Sequence, residues 1–143
     1  DIGVADLNAS SIFIEAWLSL ERLGSPEGDL SLARAVCYLA LAPKSNAVYT
    51  AFSDALQLAK ETGSISPPKH ILNAPTQLMK NNGYGDAYIY DHDSENAFSG
   101  QNFFPDGLSR KVLYSPVERG FERELKKRLT YFEKLRSKRD VNM

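Results

Sequence analysis

The densest group of potential metal ligands in the chain is Asp91-His92-Asp93, with Glu95 close behind. Carboxylate oxygens and an imidazole nitrogen at such spacing can hold a divalent cation. Metal-dependent hydrolysis of phosphate esters uses His-Asp pairs of this kind, but with several further His and Asp ligands, and the only other histidine is His70. The residue types fit a structural role better: acidic side chains that cap turns, and an imidazole hydrogen-bonded within its loop. The single cysteine, Cys37, lies in the most apolar stretch, where a thiol behaves as a small inert hydrophobe. No G-x-x-x-x-G-K-[ST] loop and no G-x-S-x-G elbow is present. Gly83-Tyr84-Gly85 lacks the lysine-plus-hydroxyl pair of a phosphate loop and reads as a turn with positive φ. Pro43-Lys44-Ser45-Asn46 reads as a helix–helix junction with a breaker and a cap. No catalytic, cofactor-binding or metal-binding constellation emerges from these residues.

Charge points to a second kind of chemistry. From Glu118 onward there are nine Lys/Arg against five Asp/Glu, whereas the whole chain has a net charge of -1. Arg123, Lys126, Lys127, Arg128 and Lys134 sit on the faces of a helix, and the tail adds Lys138 and Arg139. Basic residues near a helix C-terminus complement its dipole, so a solvated face explains them. The alternative is a basic face that contacts DNA. Global charge argues against a protein held to nucleic acid by net attraction alone.

The elements that must position these residues are helical. The 143 residues suffice for about one domain, and a chain of this length is expected to bury roughly 68–70% of its unfolded surface without staples. Apolar residues Ile12, Phe13, Ala16, Trp17, Leu20 and Leu23 recur at helical spacing between Asn8 and Gly24. A second helix starts near Ser25-Pro26-Glu27, is apolar nearly all round from Ala33 to Ala42, and is therefore expected to be central and buried. Pro43 stops it. Ser45 or Asn46 caps a third helix whose apolar face is Val48, Phe52, Ala55, Leu56 and Ala59, ended by Gly63. A short helix is expected from Asn73 to Asn81, with Leu78 as its anchor. Residues 83–105, rich in Gly, Asp, Asn and aromatics, read as an ordered irregular segment held down by its rings. Ser115-Pro116-Val117-Glu118 reads as a capping box that opens a last helix. Its apolar stripe is Phe121, Leu125, Leu129, Phe132 and Leu135. No stretch approaches the ~20 apolar residues of a membrane span. One thiol and no signal-peptide pattern fit a cytoplasmic protein, and a start at Asp1 rather than Met fits a piece of a longer one.

Longer strings carry a resemblance. Tyr38-Leu39-Ala40-Leu41-Ala42-Pro43-Lys44-Ser45-Asn46-Ala47-Val48-Tyr49 is the most specific, followed by Asn73-Ala74-Pro75-Thr76 with Leu78-Met79-Lys80. Gly83-Tyr84-Gly85, Tyr88, Tyr90, His92-Asp93, Gly100-Gln101, Pro105-Asp106, Tyr114-x-Pro116 and Gly120-x-Glu122 continue in order, after an opening Asp1-Ile2-Gly3-Val4-Ala5-Asp6. Together these resemble the C-terminal region of the replication-associated recombination protein A family, AAA+ ATPases related to clamp loaders and to the Werner-helicase-interacting protein. Departures are Val4, where leucine is common, and Asn96-Ala97, where glycines are frequent. The resemblance implies an all-α chain: residues 1–24 end a helical collar, and residues 25–143 form a C-terminal helical domain similar to that of clamp loaders. It implies an upstream ATPase core that holds ATP and Mg, and no enzymatic activity in this segment. It implies a homo-tetramer, DNA and single-strand-binding protein as partners, and oligomerisation as the role of this region. The family-motif positions Pro43, Lys44, Ser45, Asn46, Tyr49, Asn73, Pro75, Thr76, Gly83, Tyr84, Gly85, Tyr88, His92, Asp93, Tyr114 and Pro116 are then structural or interface positions.

Overall fold

A computed structural model describes residues 1–140. The fold is all-α. Five helices run Ala9–Leu23 (α1), Glu27–Leu41 (α2), Ala47–Thr62 (α3), Gln77–Asn81 (α4) and Glu122–Asp140 (α5), with four short 3-10 turns and no strand among the described residues. The chain forms two compact units. Residues 1–54 and 113–128 make the first, and residues 55–112 and 129–140 the second.

In the first unit α1 and α2 pack along each other. Gly28 makes this possible, because a Cβ there would stand 2.6 Å from the Leu20 Cα. Asp6 supports the start of α1, accepting the Asn8 N–H at 2.9 Å. Its other carboxylate oxygen accepts the Tyr38 hydroxyl at 2.8 Å, which ties the chain start to α2. The expectation of a buried, central α2 is wrong. Only Gly28 and Ala35 of this helix are buried, Leu30 is 74% exposed and Leu41 88%, and Cys37 is exposed as well. An all-round apolar helix needs partners on every side, and α1 covers one.

The junction that follows is held by one side chain. Glu122, at the first position of α5, has 0% solvent exposure. One carboxylate oxygen accepts the Ser45 hydroxyl at 2.8 Å, and the other accepts the Val117 N–H at 2.7 Å. Ser45 Oγ in turn accepts the Ala47 N–H at 3.2 Å, so it caps α3 while it donates to Glu122. A buried carboxylate costs several kcal/mol unless it is hydrogen-bonded; here two donors and a helix N-terminus face it.

The expected capping box at Ser115–Glu118 does not form. Residues 111–117 are non-helical and α5 opens seven residues later. The chain must first pass the amino-terminal segment. Phe121 N–H donates to the Ala5 carbonyl at 2.8 Å, and a Cβ on Gly120 (φ +52) would stand 2.0 Å from that oxygen. Glu118 pairs instead with Lys126.

Every fully buried hydrophobic residue among those described is an alanine: Ala5, Ala9, Ala16, Ala35, Ala42 and Ala47. No leucine, isoleucine, phenylalanine or tryptophan among the described residues is fully buried. Val48 and Phe52, expected on the apolar face of α3, are exposed.

The second unit has a different support. Gln101 pairs its side-chain amide with Ile89, accepting its N–H at 2.9 Å and donating to its carbonyl at 3.0 Å. The Phe98 ring packs on Phe132 at 4.8 Å, with the Arg136 guanidinium 5.2 Å above it. Glu133 accepts from Arg110 and from Arg136, each at 2.7 Å. Rings thus hold part of the irregular segment, as expected, but Tyr88, Tyr90 and Phe103 remain about half exposed. In α4 the helix is shorter than expected and Thr76 caps it, accepting the Met79 N–H at 3.3 Å. Leu78 is exposed, and Met79 is the partly buried side chain of this helix. Asn96 and Ala97 both have positive φ, +62 and +48, which explains why glycine suits these positions.

Two outcomes follow from this junction. Gly120→Ala is expected to lower stability by about 3 kcal/mol, since it adds both an overlap with the Ala5 carbonyl and a strained φ; chemical denaturation checks it. Tyr114 has its hydroxyl buried without a hydrogen-bond partner among the described residues. Burial first, and then the Glu122 charge, push this phenol from 10.0 up to about 12. The fold therefore prefers the neutral phenol: its contribution is intact below pH 10 and is lost as pH rises towards 12. Tyr114→Phe is expected to melt no lower than the parent at neutral pH, and to lose less stability between pH 10 and 12 in thermal melts at stepped pH.

Candidate functional site

The signature string Pro43–Tyr49 occupies the α2–α3 junction. Pro43 follows Ala42, the extended C-cap residue of α2, and does not continue the helix. The Lys44 ammonium donates to the Leu39 carbonyl, one of the acceptors that a helix C-terminus leaves unpaired. Ser45 N–H donates to the Asp1 carbonyl at 2.8 Å, and its hydroxyl binds Glu122. The Asn46 carbonyl accepts the Thr50 N–H at 2.9 Å in the first turn of α3. These four residues shape a joint. Tyr49 differs from them, because its ring stands exposed on α3.

The other motif positions divide in the same way. Gly83 and Gly85 adopt φ +77 and +76, the turn conformation expected of them. Tyr84 and Pro116 are partly buried, and Thr76 is a cap. Asn73, Pro75 and Tyr88 face solvent.

Asp91, His92 and Asp93 form a single 3-10 turn. Asp91 accepts the Ser99 N–H at 2.8 Å, and hydrogen bonds from Ser99 hold its carboxyl below the usual carboxylate range. His92 lies beside the Tyr90 ring at 5.0 Å. No group of three His, Cys, Asp or Glu side chains converges on a cation position among the described residues.

Much of the basic set is engaged within its own unit. Arg123 Nε donates to the Glu118 carbonyl at 3.0 Å, and Lys126 pairs with the Glu118 carboxylate. Lys127 pairs with Glu124 at 2.7 Å, and Arg128 lies over the Phe121 ring at 5.7 Å. The carboxyls of Glu118 and Glu124 lie below their usual range because of the hydrogen bonds from Lys126 and Lys127. Lys134 and Lys138 are exposed in the second unit.

The feature that stands out is apolar. Phe13, Ile14, Trp17 and Leu18 occupy positions i, i+1, i+4 and i+5 of α1, so they form one patch. Each is exposed by between 39% and 52%, and the Phe13 and Trp17 rings lie 6.3 Å apart. On α2, Leu30, Val36 and Leu41 are uncovered, and on α3 Val48, Tyr49 and Phe52. A monomeric soluble domain rarely leaves so many large side chains in water. The sequence signal was present in the apolar circumference of α2, although burial within the chain is the more usual meaning of that pattern.

The family described as "MgsA AAA+ ATPase C terminal" matches residues 1–133. Replication-associated recombination protein A of Coxiella burnetii is 46% identical over 136 residues, 94% of this chain and 31% of that protein. The protein of the same name from Escherichia coli K12 is 45% identical over 132 residues, 92% of this chain and 30% of its own length. The ATPase WRNIP1 of Dictyostelium discoideum is 35% identical over 116 residues, 80% of this chain and 13% of that protein. The chain thus spans about a third of the bacterial relatives it matches. Residues 1–133 place the chain in the MgsA AAA+ ATPase C-terminal family, whose relatives here are replication-associated recombination proteins.

Proposed function

We propose that this chain is the self-association module of an AAA+ ATPase that acts in DNA replication and recombination, and that the α1 patch Phe13-Ile14-Trp17-Leu18 is a contact between copies. The single observation that carries the reading is the uncovered apolar surface of the first unit, set against a core of alanines. Full burial of such a side chain contributes about 1.5–3 kcal/mol. Covering the exposed half of four of them gives about 3–6 kcal/mol per face, and a two-fold contact counts it twice. That is comparable to the ~4–15 kcal/mol that association costs. The uncovered side chains of α2 add a second set. A dihedral tetramer uses two kinds of contact, so two sets suit the homo-tetramer that the resemblance implies.

In this reading residues 1–24 end a collar subdomain that carries the α1 contact, and residues 25–143 form a C-terminal helical domain whose uncovered α2 side chains add the second contact. ATP and magnesium are held by another part of such an ATPase, since no nucleotide-phosphate loop occurs in this sequence. This segment then works by assembly and not by catalysis, in a cytoplasmic protein whose partners include DNA and single-strand-binding protein. DNA contact through Arg123, Lys126, Lys127, Arg128 and Lys134 is the weaker reading, because Lys126 and Lys127 already face carboxylates.

Light scattering behind size exclusion at micromolar chain concentration tests the proposal. The expected mass is four times 15.9 kDa, falling with dilution, and Trp17→Glu is expected to remove the assembly with the helical circular-dichroism signal retained. A parent chain that stays monomeric throughout, or a Trp17→Glu variant that still assembles, overturns it.

A further inference from the structure

The face of α1 that carries the proposed self-contact is symmetric about its middle. Ser10, Ile14, Trp17 and Glu21 follow one another at spacings of 4, 3 and 4 residues, the interval that keeps a line of side chains on one side of a helix. All four are exposed, and Phe13 and Leu18 flank the central two. Ala9 and Ala16, the buried residues of α1, lie on another side of the helix. The line runs polar, apolar, apolar, polar, and its midpoint falls between Ile14 and Trp17.

The two polar ends are complementary in charge. Glu21 sits in the last turn of α1, where a negative charge opposes the helix dipole. It forms no ion pair among the described residues. At the other end Asn8 makes no side-chain cap, and the first turn holds no acidic residue. The Asp6 carboxylate is occupied by the Asn8 N–H and the Tyr38 hydroxyl. The helix start around Ser10 thus keeps N–H groups without a side-chain acceptor among the described residues.

A second copy can meet this line in two orientations. With the helices parallel, Glu21 meets Glu21 of the other copy and the two helix starts lie side by side, so like charges oppose each other at both ends. With the helices antiparallel about a two-fold axis through the midpoint, Ile14 meets Trp17 of the other copy and Phe13 meets Leu18. Each Glu21 then meets Ser10 and the open helix start of the other copy. We infer that two copies join through an antiparallel α1–α1 contact whose orientation is set by Glu21 of each copy facing Ser10 of the other. The apolar pairs supply affinity, and the charge at the rim selects the orientation. This rests on the self-association reading and adds to it which way the copies run.

The test is disulfide mapping on the whole chain in a Cys37→Ser background, at a concentration where light scattering detects assembly. A disulfide needs Cα atoms within about 7 Å of each other. In the antiparallel contact the two copies' Ser10 positions stand about 16 Å apart along the helix axis, and so do the two Glu21 positions. Ser10→Cys chains mixed with Glu21→Cys chains and oxidised with copper–phenanthroline are expected to give a cross-linked dimer on a non-reducing gel, and either variant alone is not. Each mixed pair keeps one Glu21–Ser10 contact, and both positions are exposed, so neither change touches the core. Glu21→Lys is expected to weaken association by about fivefold or more, since the two-fold axis repeats the loss, and Ser10→Glu added to it is expected to restore association. Cross-linking of either variant alone, or a Glu21→Lys chain that associates as tightly as the parent, overturns the inference. An assembled parent whose mixed variants stay uncross-linked overturns the orientation and leaves self-association standing. A parent that is monomeric throughout overturns both.

Discussion

A carboxyl group with no exposure to solvent holds the first unit together. Glu122 fixes Ser45 on one side and Val117 on the other, and Ser45 passes the constraint to the start of α3. Removing either donor would leave a buried charge short of a partner, which is far more costly than losing a surface ion pair. This accounts for the crowding around it. Gly120 must be glycine to pass the Ala5 carbonyl, and the tyrosine at 114 is kept neutral by burial and by that same charge. The ion pairs on the outside, such as Lys127 with Glu124, contribute about 0–1 kcal/mol each and cannot substitute for it.

That polar junction compensates for an apolar interior of little volume. Alanine side chains bury little area, so α1 and α2 approach closely across Gly28 without enclosing a large core. Phe13, Ile14, Trp17 and Leu18 of α1 and Leu30, Val36 and Leu41 of α2 stand exposed instead. The exposed apolar side chains of α1 and α2 are the surface on which the proposed self-association rests.

The helices were legible in the sequence because their signals are local. The 3.6-residue spacing of Ile12 to Leu23 and the stop at Pro43 depend on neighbours a few positions away. The positive φ at Gly83 and Gly85 was legible for the same reason. What failed was what depends on distant residues. Ser115-Pro116-Val117-Glu118 has every residue of a helix start, yet the chain crossing at Ala5 delays the helix to Glu122. The outward direction of α2 was hidden because an all-round apolar helix looks alike whether its partners lie in the same chain or in another. Glu122 appeared only as one letter of a motif, since a buried acid gives no periodic signal. His70 and Phe103, thirty-three positions apart in sequence, are brought together only by the fold.

The most direct measurement uses the single tryptophan. Trp17 lies in the α1 patch at 51% exposure, so its environment reports whether that patch is covered. Emission and acrylamide quenching followed across a concentration series would show a blue shift and falling quenching as copies associate, if the patch is a contact between them. A Trp17 that stays red-emitting and freely quenched at concentrations where scattering detects assembly would place the contact elsewhere and contradict the account.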